Sequence, residues 1–226
     1  MGEMVRFSAG EGDAPGYLAV PGGEGPFPGV VVIQEFWGLV GHIKSVADRF
    51  AREGFVALAP DLYHGQVAVE PDDARKLAMS MQTDSALQDI QGAVDYLTGL
   101  PSVSPSRAGV VGFCMGGGLA ARMSYQGRDV GAVVVFYGKA PLDEDTVPSI
   151  SAPFLGLYGG EDHGIPMEAV NEWDRLMTEH NKPHEIVTYP GAGHAFFNED
   201  RPSVYNPEAS EDAWQRTIVW LRRYLV

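Results

Sequence analysis

Six short runs rich in apolar residues punctuate the chain: Val30 to Ile33, Phe55 to Leu58, Ala108 to Val111, Ala132 to Val135, Phe154 to Leu157 and Glu185 to Thr188. Most are continuous rather than alternating, the pattern of strands buried on both faces of a parallel sheet. Helical spacings lie between them. Ile43, Val46, Ala47, Phe50 and Ala51 follow i, i+3, i+4, i+7, i+8, and Leu87, Ile90, Val94 and Leu97 form a second stripe. Val170, Trp173 and Met177 form a third, with Pro166 near its start, and Trp214, Ile218, Leu221 and Leu225 mark a C-terminal helix. Strand and helix alternate from Val30 onward, which predicts a mostly parallel, doubly wound α/β sheet with helices on both faces. The glycine-rich first 29 residues carry short β-like pieces, such as Tyr17 to Val20, and predict an antiparallel edge. No stretch reads as an interdomain linker, so residues 1–226 read as one domain.

Charge and composition narrow the possible partners. Lys and Arg number 16 against 30 Asp and Glu, a formal net charge of −14, which argues against nucleic-acid backbones and anionic membranes. The one cysteine, Cys114, allows neither an intramolecular disulfide nor a Cys-based zinc site. No H-E-x-x-H or comparable ligand pair occurs, so neither metal nor cofactor is expected. The N-terminal residues lack a signal-peptide core, and no apolar run is long enough to span a bilayer. These features predict a soluble, cytoplasmic protein, monomeric or weakly homo-oligomeric, whose partner is a small molecule.

Ligands of open α/β sheets bind beyond the carboxyl ends of the strands. The residues after each run therefore matter most. They are Gln34-Glu35-Phe36-Trp37-Gly38, then Gly112-Phe113-Cys114-Met115-Gly116-Gly117-Gly118, then Gly159-Gly160-Glu161-Asp162-His163, then Gly191-Ala192-Gly193-His194. The topology directs an acid, a thiol, a second acid and an imidazole to one edge.

Gly112-Phe113-Cys114-Met115-Gly116 is a nucleophile elbow, G-x-C-x-G, with cysteine in the serine position. The strand-to-helix turn is too sharp for side chains at the glycines, and it lifts Cys114 to a helix N-terminus, where free N–H groups favour a thiolate and a developing oxyanion. The N–H of Met115 is the first expected oxyanion donor, and the N–H of Phe36 the second. His194 is the expected general base and acid, with His163 as a rival. Asp162 is the expected orienting acid, with Glu161 as its nearest competitor. Nucleophile, acid and histidine follow in α/β-hydrolase order.

Together with Pro60-Asp61-Leu62-Tyr63 and Gly193-His194-Ala195-Phe196, these segments resemble the dienelactone hydrolase (carboxymethylenebutenolidase) family over nearly the whole chain from Val30. The resemblance implies an α/β-hydrolase fold, a Cys114–His194–Asp162 triad and hydrolysis of an unsaturated lactone bearing a carboxylate. Glu35 matches the glutamate that pairs with the resting thiol in that family. A carboxylate and a thiolate repel one another, so substrate binding would switch the nucleophile on. Family members hold the lactone carboxylate with arginines, one soon after the catalytic histidine. Here Asn198 occupies the close position, Arg201 follows three residues later, and Arg75 is a second candidate. Trp37, Tyr137 and Phe196 are expected to shape an apolar pocket, with the segment from Tyr63 to Thr83, including the Met-rich piece Leu77 to Met81, forming one wall.

Two rival readings share the same residues. One is a general carboxylesterase or thioesterase on the same triad. The other is a non-catalytic protein in which Cys114 is an oxidisable sensor thiol, although a sensor needs neither Asp162 nor His194.

Overall fold

Each of the six runs becomes a strand, and the glycine-rich start adds two more. The computed structural model describes residues 2–10 and 12–226, so Met1 and Glu11 lie outside the described residues while every candidate site residue lies within them. The order is β1 (Glu3–Ala9), β2 (Gly12–Ala19), β3 (Phe27–Ile33), α1 (Gly41–Arg52), β4 (Val56–Pro60), α2 (Pro71–Ser80) and α3 (Thr83–Gly99). It continues with β5 (Val103–Phe113), α4 (Met115–Gln126), β6 (Val130–Phe136), β7 (Phe154–Gly159), α5 (Met167–Glu179), β8 (His184–Tyr189) and α6 (Pro207–Leu225). The strands form one sheet ordered β1-β2-β4-β3-β5-β6-β7-β8. β1 and β2 run antiparallel, β2 joins β4 antiparallel, and the remaining pairs are parallel. This is the α/β-hydrolase architecture that the alternation of strand and helix predicts.

Period-2 side-chain alternation sends neighbouring strand residues to opposite faces. Val31, Ile33, Val110, Val133 and Val135 pack on one side with Ile90, Val94 and Leu97 of α3, Leu119 of α4 and Trp173 and Met177 of α5. Val30, Val32, Val111, Val134 and Phe136 pack on the other with Ile43 and Phe50 of α1 and Trp214, Ile218 and Leu221 of α6. Both faces are covered, so the central strands need no polar positions. α6 starts cleanly because Pro207 opens it and the Asn206 side chain accepts a hydrogen bond from the Ala209 N–H.

The segment between β4 and α3 differs from expectation. It contains a helix, α2, whose only buried residue is Ala74, and Met79 is 85% exposed. The Met-rich piece lies on that exposed helix, and none of Leu77 to Met81 lines the hollows beside the candidate site. The wall comes instead from Ala68 and Val69, just before α2.

Trp214 is fully buried, with its ring 4.6 Å from Phe50 and the Arg49 guanidinium 4.1 Å above it. Trp214→Ala is expected to remove about 3–5 kcal/mol of stability. Urea unfolding should show a lower midpoint with little change in slope.

Candidate active site

The carboxyl ends of β3, β5, β7 and β8 meet at one edge, and the elbow between β5 and α4 fixes the centre of the site. Cys114 has φ 54° and ψ −116°, a conformation that an L-residue adopts only under constraint from its surroundings. The constraint is backbone contact. A Cβ on Gly112 would lie 2.0 Å from the Gly116 carbonyl oxygen, and one on Gly116 would lie 2.4 Å from that of Gln34. Both glycines are therefore required. The Cys114 N–H donates to the Phe136 carbonyl, tying the turn to β6.

Cys114 Sγ lies 3.1 Å from His194 Nε2, and His194 Nδ1 lies 2.6 Å from Asp162 Oδ2. Asp162 is buried, and its other oxygen accepts the Gly164 N–H at 2.8 Å. It has one oxygen free for the histidine and is held still. Glu161 and His163, the two competitors, are exposed. Burial pulls the His194 pKa down, but the hydrogen bonds to Asp162 and Cys114 and the negative charge on both outweigh it and raise it to about 10. His194 is thereby held toward its charged form, in line with both neighbours, although 40% of its side chain is exposed.

Glu35 is 1% exposed and is not hydrogen-bonded to the thiol. Its Oε1 accepts from the Tyr137 hydroxyl at 3.2 Å and its Oε2 from Asn198 Nδ2 at 2.6 Å. The Asp200 N–H donates to Asn198 Oδ1, which fixes the amide orientation. Burial raises the Glu35 pKa, while the charge on His42 and the two hydrogen bonds act against that rise. Burial also drives the Tyr137 phenol well above its ordinary value, helped by the negative charges of Glu35 and Cys114. Tyr137 is thus a buried partner of Glu35.

The two oxyanion candidates lie on the elbow and on the loop after β3. Met115 is the first residue of α4, so its N–H has no intrahelical acceptor. The Phe36 N–H donates no hydrogen bond among the described residues.

A hollow of about 600 Å³ adjoins Asp162 and His194, bounded by Gly193, Tyr205 and Asn206. A smaller one of about 240 Å³ lies between Trp37, Val40, Ala68 and Val69, with Asn198 and Arg201 at its rim. Arg201 stacks on Trp37 with its guanidinium 4.9 Å from the ring. A further hollow of about 700 Å³ beside α3 and α4 contains none of the candidate residues.

Three sequence expectations need correction. Tyr137 is fully buried, bonded to Glu35, and lines neither hollow beside the site. Arg75 is an exposed residue of α2 paired with Asp72 at 2.6 Å and lines neither hollow beside the site. Phe196 is fully buried against Tyr137 and Tyr189, so it belongs to the core beneath the site and not to a pocket wall. Three contributors, Asn198, Tyr63 and His42, have roles that local sequence spacing does not predict. His42 is a buried side chain of α1 whose two ring nitrogens have no partner among the described residues; only its place after the β3 loop hinted at it.

Among the described residues, no cluster of three or more His, Cys, Asp or Glu side chains could hold a metal, and no helix is long and apolar enough to cross a membrane.

Sheet, elbow and strand-end residues together define a carboxylic ester hydrolase of the α/β-hydrolase class, a family of enzymes acting on small-molecule esters. Comparison with known proteins narrows the class. Residues 14–225 match the dienelactone hydrolase family, and the chain belongs to it. It is similar to "Protein usf" of Aquifex pyrophilus, at 36% identity over 100% of both chains. A Methylorubrum extorquens protein named "Putative carboxymethylenebutenolidase" is 34% identical over 97% of this chain and 80% of its own. The crystal structure titled "Putative Dienelactone Hydrolase" from Klebsiella pneumoniae subsp. pneumoniae matches with a TM-score of 0.90 at 29% identity, covering 99% of each chain.

The raised His194 pKa carries a sign. Its charged-state contribution to stability is fully present below the unfolded value of 6.5 and is lost as pH rises through about 10. Asp162→Asn should bring the His194 midpoint back toward neutrality. An NMR titration of the imidazole protons reads this directly, and an unchanged midpoint would mean that Asp162 does not hold the charge.

Proposed function

We propose that the chain, as one domain over residues 1–226, is a thiol hydrolase that opens a small ester or lactone through a Cys114–His194–Asp162 triad and a covalent thioester. The observation that carries this reading is the run of two contacts, Sγ to Nε2 at 3.1 Å and Nδ1 to Oδ2 at 2.6 Å, at a strained elbow.

The thiolate attacks the carbonyl carbon. A C–S bond forms, and the carbonyl π electrons move onto oxygen, which the Met115 and Phe36 N–H groups stabilise. Collapse restores the carbonyl and breaks the C–O bond. The leaving oxygen takes a proton from His194 Nε2; where the substrate is an enol lactone the group leaves as an enolate and then takes that same proton, so His194 is neutral on either route. Neutral His194 then takes a proton from water, whose oxygen attacks the thioester. The second tetrahedral intermediate expels the Cys114 thiolate, releasing the carboxylic acid and restoring the ion pair. Asp162 stabilises the imidazolium and fixes the tautomer throughout. Ionised Glu35 opposes the thiolate by like charge, and protonation of Glu35 removes that opposition.

An unsaturated lactone such as carboxymethylenebutenolide follows from the family resemblance. A specific observation favours a broader ester range on the same triad. Asn198 is committed to Glu35, Arg75 is paired on an exposed helix, and Arg201 alone remains to meet a substrate carboxylate.

Steady-state kinetics on a neutral aryl ester and on a carboxylate-bearing dienelactone separate these. Cys114→Ala should lower kcat on either by at least about a thousandfold. Arg201→Ala should raise KM for the dienelactone alone if Arg201 binds its carboxylate. Turnover surviving in Cys114→Ala would remove the thiol mechanism.

A further inference from the structure

The Pro60-Asp61-Leu62-Tyr63 motif at the end of β4 takes no part in the chemistry above, yet it reaches the centre of the site. Asp61 is buried, and its carboxylate accepts the N–H groups of Tyr63 at 3.2 Å and Gly65 at 2.7 Å, which locks the turn. The turn points the Tyr63 ring inward, with only 5% of the residue exposed. Its hydroxyl lies 3.2 Å from the Phe36 carbonyl oxygen and 3.4 Å from Met115 Sδ. One phenol thus touches both residues that carry the proposed oxyanion donors.

The two halves of that position differ in rigidity. The Met115 N–H is fixed by the elbow and the helix that follows. The Phe36 N–H sits on the irregular loop between β3 and α1, and its carbonyl accepts no other hydrogen bond among the described residues. Residues 61–68 clasp that loop along its length. The Leu62 N–H donates to Gln34 Oε1 at 3.2 Å, and the Ala68 N–H donates to the Trp37 carbonyl at 2.9 Å. Gly38 lets the two segments approach. It has φ 95°, and a Cβ there would lie 2.8 Å from the Gln66 carbonyl oxygen.

We propose that Tyr63 is a positioning residue for the oxyanion hole: its hydroxyl, donating to the Phe36 carbonyl, holds that loop against the Met115 side chain at the start of α4 and so sets the spacing of the two N–H donors. The proposal rests on the thiol-hydrolase reading and adds a role for a residue outside the triad. Donor geometry matters because backbone dipoles stabilise a developing oxyanion only when they are already aimed at it.

Tyr63→Phe tests this with two reactions of the same sulfur. Hydrolysis of a neutral aryl ester passes through an oxyanion, whereas alkylation of Cys114 by iodoacetamide displaces iodide at a saturated carbon and forms none. Tyr63→Phe should lower kcat on the ester about tenfold or more, with KM within about twofold, and leave the alkylation rate and its pH profile unchanged. Equal losses in both reactions would mean a general disturbance of the site and overturn the proposal. Unchanged ester turnover would overturn it too. Gln34→Met, which removes the acceptor for Leu62, loosens the same clasp and should split the two reactions in the same direction if Tyr63→Phe fails to fold. Wild-type turnover that survives full alkylation would refute the nucleophile instead, so the two failures are distinguishable.

Discussion

The turn from β5 into α4 leaves no room for a side chain at Gly112 or Gly116, and almost everything at the carboxyl edge follows from that crowding. A Cβ at either position would enter backbone atoms of α4 or of the β3 end. The close approach holds Cys114 at φ 54°, a conformation costing on the order of 1–3 kcal/mol that only the surrounding sheet can maintain. In return the thiol stands clear of the sheet at the start of a helix, where His194 from β8 and the free N–H groups can reach it. The strain belongs to the scaffold, and the chemistry depends on it.

Electrostatics divides the site into two halves. On one side Asp162 and Cys114 hold His194 toward its charged form. On the other, Glu35 sits almost without solvent, held by Tyr137 and Asn198. Both of its partners donate hydrogen bonds, which suits an ionised carboxylate, while burial favours a protonated one. Among the neighbouring side chains, buried His42 does most to offset the effect of burial on it. In the proposed mechanism, sulfur reactivity reflects a balance between His194 and Glu35.

Much of this arrangement was legible in the residues. Continuous apolar runs marked strands covered on both faces, and the burial of neighbouring residues such as Val30 and Val31 on opposite sides of the sheet bears this out. The glycines around Cys114 announced the elbow because steric exclusion is local and leaves a fixed spacing. The contacts among His194, Asp162 and Cys114 were foreshadowed by chain order alone. Other features depended on tertiary packing. Arg75 and Phe196 follow the same local rules as any surface arginine or loop aromatic, and only the fold sends one to solvent and the other into the core. Tyr63 touches residues 27 and 52 positions away, a meeting that no local spacing encodes. Asn198 illustrates the converse: its identity stood out, but its bond to Glu35 required β3 and the loop after β8 to converge.

The central claim is that Cys114 becomes acylated. Acid quenching during turnover of an aryl ester, followed by intact-mass and peptide mass spectrometry, measures this directly. The account predicts a mass increase equal to the acyl group, located on the peptide containing Cys114 and lost on treatment with hydroxylamine. Turnover accompanied by an acyl group on any other residue would contradict it.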